Sequence, residues 1–92
     1  MEVKFEESDS KGSFYVEEDG QRLAKMTFSK AGDNRIIIDH TEVSDSLRGK
    51  NVGKQLVAAA VEYARKNNIK ILPLCPFAKS VFERVKEYGD VL

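Results

Sequence analysis

Three groups of residues in this chain have types and spacings that can do chemistry. The first is the run Arg48, Gly49, Lys50, Asn51, Val52, Gly53 and Lys54, two glycines among three cations, directly ahead of an apolar pattern of helical period. A helix N-terminus leaves backbone N–H groups without intrahelical partners and carries partial positive charge, so such a turn suits an anion. The second is His40, the one histidine; an imidazole can take a proton from an attacking ammonium or thiol. The third is Cys75, the one cysteine, just ahead of Pro76 at an expected helix start, where the dipole favours thiolate. Each group also has a plainer reading: a strand-to-helix turn with solvated cations, a histidine that only hydrogen-bonds, and a small buried thiol.

Which anion the loop would hold is narrowed by what the sequence lacks. The nearest approach to a nucleotide P-loop is "GKNVGKQ". It is one residue short between the glycines, and Gln55 stands where a magnesium-binding hydroxyl is required. The dinucleotide spacing G-x-G-x-x-G is absent as well. Fifteen basic residues balance fifteen acidic ones, so the chain has no cationic surplus with which to displace counterions, and nucleic acid is not expected as a partner. One cysteine and one histidine exclude an internal disulfide and argue against a structural zinc site, so no metal is expected.

The elements that must position these groups follow from periodicity. "EVKFEE", "SFYVEE" and "QRLAKMTFSK" read as three strands, with Asp19-Gly20 as a hairpin turn and "KAGDN" as the next turn. "RIIIDHTEV" is the fourth strand, and its three consecutive isoleucines imply burial on both faces. Strict alternation would place Ile36, Ile38, His40 and Glu42 on one face and Ile37, Asp39, Thr41 and Val43 on the other. From Val52 the period becomes helical, with Val52, Leu56, Ala59, Ala60 and Ala64 inward, Lys54, Glu62 and Lys66 outward, and Asn67-Asn68 as the stop. A fifth strand runs from Ile69 to about Leu74. A second helix starts at Pro76, a tolerated first-turn proline, with Phe77, Val81, Phe82 and Val85 as its stripe. The expected fold class is α+β: four mostly antiparallel strands, then β-α-β-α. The fourth and fifth strands should be parallel, joined by a right-handed crossover. Ninety-two residues make one domain, 1–92. The composition, 41% hydrophobic and 33% charged, suits a globular chain rather than disorder. No apolar run approaches a membrane span, and the acidic start "MEVKFEESDS" lacks a signal-peptide core, so no membrane partner and a cytoplasmic location are expected.

The loop "VSDSLRGKNVGKQLV" resembles the coenzyme-binding motif R/Q-x-x-G-x-G/A of the GCN5-related N-acetyltransferases. Arg48 takes the first position and Gly53 the last. Asn51 stands where that family usually has glycine, and asparagine visits the left-handed region more readily than other non-glycine residues. Together with "DHTEV" and "CPFAK", the resemblance runs from about Ile36 to Glu83 and is similar to the smallest branch of that superfamily.

The resemblance implies acetyl-coenzyme A as cosubstrate and acetyl transfer to an amine as reaction, with the fourth and fifth strands splayed around the thioester. Arg48, Gly49, Lys50, Asn51, Val52, Gly53 and Lys54 would hold the pyrophosphate. A backbone amide near Val43 would polarise the thioester carbonyl. His40 and Cys75 would face the same gap from neighbouring strands, with transfer either direct, His40 acting as base, or first to Cys75 as nucleophile. In this branch most of the helices that enclose the acceptor in larger members are missing. A protein or peptide amine is then the expected acceptor, on a monomer or weak dimer. The rival readings are a non-catalytic coenzyme-A-binding module and an interaction domain without a ligand.

Overall fold

The computed structural model describes residues 2–92. Four strands come first: β1 (Lys4–Glu7), β2 (Lys11–Glu18), β3 (Gln21–Lys30) and β4 (Arg35–Val43). Helix α1 (Val52–Asn67), strand β5 (Lys70–Pro73) and helix α2 (Pro76–Arg84) follow, with 3-10 turns at Asp45–Leu47 and Lys86–Val91. The five strands form one sheet in sequence order, antiparallel except for the parallel pair β4–β5. This is the α+β order read from the sequence. No helix among the described residues is long and apolar enough to cross a membrane.

Local chemistry accounts for the boundaries. Asp19 and Gly20 both take positive φ, 51° and 79°, the tight-hairpin geometry whose twist matches the strands it joins. Helix α1 stops at Asn68, left-handed at φ 55°, where the amide of Ile69 donates to the carbonyl of Ala64 at 2.9 Å. Pro76 opens α2, where its missing N–H costs nothing. Helix α2 ends at Arg84, earlier than its apolar stripe implied. The tail turns back instead: Arg65 grips the Asp90 carboxylate with two hydrogen bonds of 2.7 and 2.9 Å, and Val91 is buried.

Both helices pack on one face of the sheet. Phe14, Val16, Ala24, Met26, Phe28, Ile36, Ile38 and Ile71 meet Leu56, Val57, Ala60, Val61 and Ala64 of α1 and Ala78, Val81 and Phe82 of α2 in a single core cluster. Burying each large aliphatic side chain here contributes about 1.5–3 kcal/mol before the entropy of ordering is counted. The other face is open, which corrects the reading of three isoleucines as burial on both sides. Ile37 is only half-buried, and its register partner Leu72 is 41% exposed.

A second correction concerns β4 itself. Phe28 pairs with Ile38 but Thr27 pairs with His40, so Asp39 is an extra residue, a β-bulge. The bulge resets the alternation. Thr41 and Val43 lie opposite the inward-facing Met26 and Ala24, while His40 and Glu42 lie opposite Thr27 and Lys25 on the open face. Asp39 accepts a 2.6 Å hydrogen bond from Ser29 on that same face.

Candidate functional site

Strand β4 is longer than its parallel partner. Pairing with β5 ends at Ile38 opposite Pro73, and the amides of Leu74 and Cys75 both donate to the Ile38 carbonyl as the chain turns off into α2. Residues 39–43 of β4 therefore border a gap. The amide of Ser44 donates to Leu23 of β3 at 2.7 Å. By alternation, the amides of Thr41 and Val43 point away from β3, into that gap.

The loop between β4 and α1 closes one end of the gap. Arg48 lies at the surface, its Nε 3.1 Å from a carboxylate oxygen of Asp45, both side chains more than four-fifths exposed. Gly49 has φ 79° and nothing within 4 Å of where a Cβ would stand. Asn51 takes the left-handed conformation, φ 58° and ψ 28°, and caps α1 with no side-chain hydrogen bond. Gln55 is the first residue whose amide bonds back into the helix, to Asn51 O at 3.1 Å. The amides of Val52, Gly53 and Lys54 have no partner within the helix. No acid sits in the first turn, and Lys50 and Lys54 are exposed beside it. The Gln55 side chain braces the loop by donating to the Lys50 carbonyl at 3.3 Å. This end of the helix is electropositive and open, the arrangement that receives phosphate oxygens.

A groove of about 420 Å³ joins loop to gap, lined by Thr41, Val43, Leu47, Gly49, Asn51, Val52, Gly53, Lys54 and Phe77. Val43 and Phe77 are each 36% exposed there. A larger groove of about 640 Å³ lies among Glu6, Ser13, Arg22, Lys25, Thr27 and Asp39. Much of its charge is already committed: Arg22 clasps Glu6 through two hydrogen bonds of 2.7 and 2.9 Å, and Ser13 donates to the same carboxylate. The smaller groove instead has the N-terminal amides of α1 at one end and a largely apolar wall of Val43, Leu47, Val52 and Phe77.

Cys75 caps α2 and is 5% exposed, its Sγ 3.3 Å from the hydroxyl of Thr41. Burial pushes this thiol up, but its hydrogen bond with the Thr41 hydroxyl and those from the amides of Ala78, Phe77 and Thr41 outweigh it and hold it below its ordinary value. His40 is on the open face instead, its Nε2 3.2 Å from Glu42 Oε1, with Lys25 Nζ 3.9 Å from the other Glu42 oxygen. The expectation that His40 and Cys75 face each other is therefore corrected: the Asp39 bulge turns His40 outward, and Thr41 takes the place beside the thiol. Gly49 and Gly53 also differ from one another. Gly49 is open, whereas Gly53 is buried against the ring of Phe77. Thr41 and Phe77 both line the groove although the sequence pattern put Thr41 on the other face and Phe77 in the core. Among the described residues no cluster of three or more His, Cys, Asp or Glu side chains is placed to hold a metal ion.

Residues 13–91 match the family model of the GCN5-related N-acetyl-transferases. The fold is similar to the solution structure of a GCN5-like N-acetyltransferase-type protein from Staphylococcus aureus, at 43% identity and a TM-score of 0.72 over 98% of this chain and 85% of that one. It is also similar to the ribosomal-protein-alanine N-acetyltransferase of Brucella melitensis, at 18% identity and a TM-score of 0.70 over 85% of this chain and 62% of that one. A third likeness is to a Bacillus anthracis protein described as a streptothricin acetyltransferase and solved with acetyl coenzyme A, at 22% identity and a TM-score of 0.58 over 72% of this chain and 38% of that one. The last two likenesses are of fold alone. No curated protein sequence matches the chain.

Proposed function

This chain belongs to the GCN5-related N-acetyltransferase family, and from that premise we propose that it binds acetyl-coenzyme A and transfers the acetyl group to an amine. The observation that carries the reading is the parting of β4 from β5 beyond Ile38, next to a helix N-terminus with outward-facing amides. The pyrophosphate sits on the amides of Val52, Gly53 and Lys54, with the Arg48, Lys50 and Lys54 side chains at the rim and the Lys50 amide held by the Leu47 carbonyl. The arm runs along the groove, and the thioester lies in the gap. There the amide of Val43 donates to the carbonyl oxygen and stabilises the oxyanion that forms on attack.

The acceptor approaches from the open face. His40 removes one proton from the acceptor ammonium, the amine attacks the carbonyl carbon, and the tetrahedral intermediate collapses with the coenzyme thiolate as leaving group. The Asp39 bulge favours this direct route, because it puts the base on the face opposite the coenzyme groove. An uncovered face suits an amine carried on a protein or peptide tail better than an enclosed small molecule. A second route, through acetyl-Cys75, is favoured by one observation only: the thiol is held below its ordinary value beside the gap.

Intact-protein mass spectrometry after incubation with acetyl-coenzyme A and a lysine-rich peptide tests the reading, on wild type, His40→Ala and Cys75→Ala. The direct route predicts acetylated peptide, slowed about 100-fold by His40→Ala and little changed by Cys75→Ala. An acetyl group on the wild-type protein that vanishes with Cys75→Ala would instead support the relay. Coenzyme binding with no transfer to any amine supplied would favour the non-catalytic module.

A further inference from the structure

Gly53 is the second residue of α1, buried and helical, so no left-handed backbone explains why it is glycine. A Cβ at this position would stand 2.5 Å from Cζ of Phe77 and 2.8 Å from its Cε2. The Phe77 ring thus rests where a side chain of α1 would be. The same ring is 36% exposed and faces the groove shared with Thr41, Val43 and Gly49. Two ends of the ligand are fixed by chemistry, the phosphates at the amides of α1 and the thioester in the gap. Phe77 lies on the groove that joins them.

We propose that Gly53 serves the coenzyme through Phe77: its missing side chain is the seat of the ring, and the ring is the wall that holds the ligand's pantetheine arm toward Thr41 and Val43. This rests on the coenzyme reading above. It differs from a role in which the glycine exists so that phosphate can approach the main chain, because the Cα of Gly53 faces a side chain. Its amide remains free to face the ligand. Gly49, whose Cα faces open space, keeps the close-approach role.

A double-mutant cycle separates the two roles. Coenzyme A is titrated calorimetrically into wild type, Gly53→Ala, Phe77→Ala and the double variant, and each protein is melted without ligand. Gly53→Ala should weaken binding about tenfold and melt about 5 °C lower, since the added methyl displaces the ring. Phe77→Ala should weaken binding about tenfold by removing the wall. The double variant should bind within about twofold of Phe77→Ala and melt no lower, because the methyl now enters the space the ring has left. A Gly53→Ala penalty that persists undiminished beside Phe77→Ala would overturn the proposal, as would Phe77→Ala binding like wild type. If wild type binds no coenzyme A at all, the coenzyme reading falls and the proposal with it, even where the melts reproduce the relief of the clash.

Discussion

Asn51 offers the sharpest view of how the loop works. Its side chain is exposed and makes no capping hydrogen bond, yet its backbone is left-handed at φ 58°. Replacing the side chain therefore removes no packing and no cap, and the cost is a backbone cost. An alanine held left-handed is disfavoured by about 1–2 kcal/mol, and a β-branched residue by more. For a chain of this size each kcal/mol moves the melting temperature by about 4–8 °C, so Asn51→Val should melt about 5–15 °C lower. Asn51→Gly should stay within about 1 kcal/mol of wild type, since relief of the left-handed strain is offset by a freer unfolded chain. The same dihedral aims the amides of Val52, Gly53 and Lys54. A valine that relaxes the turn should also cost at least one charge-assisted hydrogen bond, about tenfold or more in coenzyme A affinity. The assay is a thermal melt paired with a coenzyme A titration on Asn51→Gly, Asn51→Ala and Asn51→Val. If Asn51→Val melts and binds like wild type, the left-handed turn neither stores strain nor positions the amides, and the reasoning is refuted.

Further outcomes follow from other parts of the structure. Leu56 is fully buried under the sheet, so Leu56→Ala should lose about 2–5 kcal/mol in urea unfolding and loosen the helix that carries the loop. Cys75 is an acid whose thiolate is favoured in the folded state. Its contribution to stability is absent below the folded thiol's pKa, grows as pH rises through it, and is complete above the ordinary value of 9.0. Urea melts from pH 6 to pH 9 should therefore show wild type gaining on Thr41→Val as pH rises, because that variant lacks the hydroxyl beside the sulfur. A stability difference independent of pH would show that the hydroxyl only fills space.

Much of this architecture can be read from local signals. Asp19-Gly20, Asn51, Asn68 and Pro76 each sit where their own backbone preference puts them, because a turn or a cap is decided by a few adjacent residues. The β4 bulge is different. "RIIIDHTEV" alternates well enough as an unbroken strand, and only its pairing with β3 shows that Asp39 is surplus. Everything downstream of that residue changes face, which is why Thr41 rather than His40 stands beside Cys75. The contact of Gly53 with Phe77 was hidden for a related reason. It joins two helices separated by β5, and glycine after a left-handed turn reads equally well as a ligand cradle. Val57 and Val61 of α1 are buried beyond the stripe expected from Val52, Leu56, Ala59, Ala60 and Ala64, while Ala59 is only half-buried, since the helix lies on a broad sheet face while α2 covers its flank.

On the reading proposed above, the α1 N-terminus and the splayed end of β4 together form a coenzyme site. Backbone amide NMR during a coenzyme A titration tests it most directly, since the amides are themselves the proposed contacts. The largest shifts should fall on Val43 and on Arg48 through Lys54, with smaller ones at Thr41 and Phe77. Shifts confined to the Asp19-Gly20 hairpin and the open face, or no shifts at millimolar coenzyme A, would contradict it.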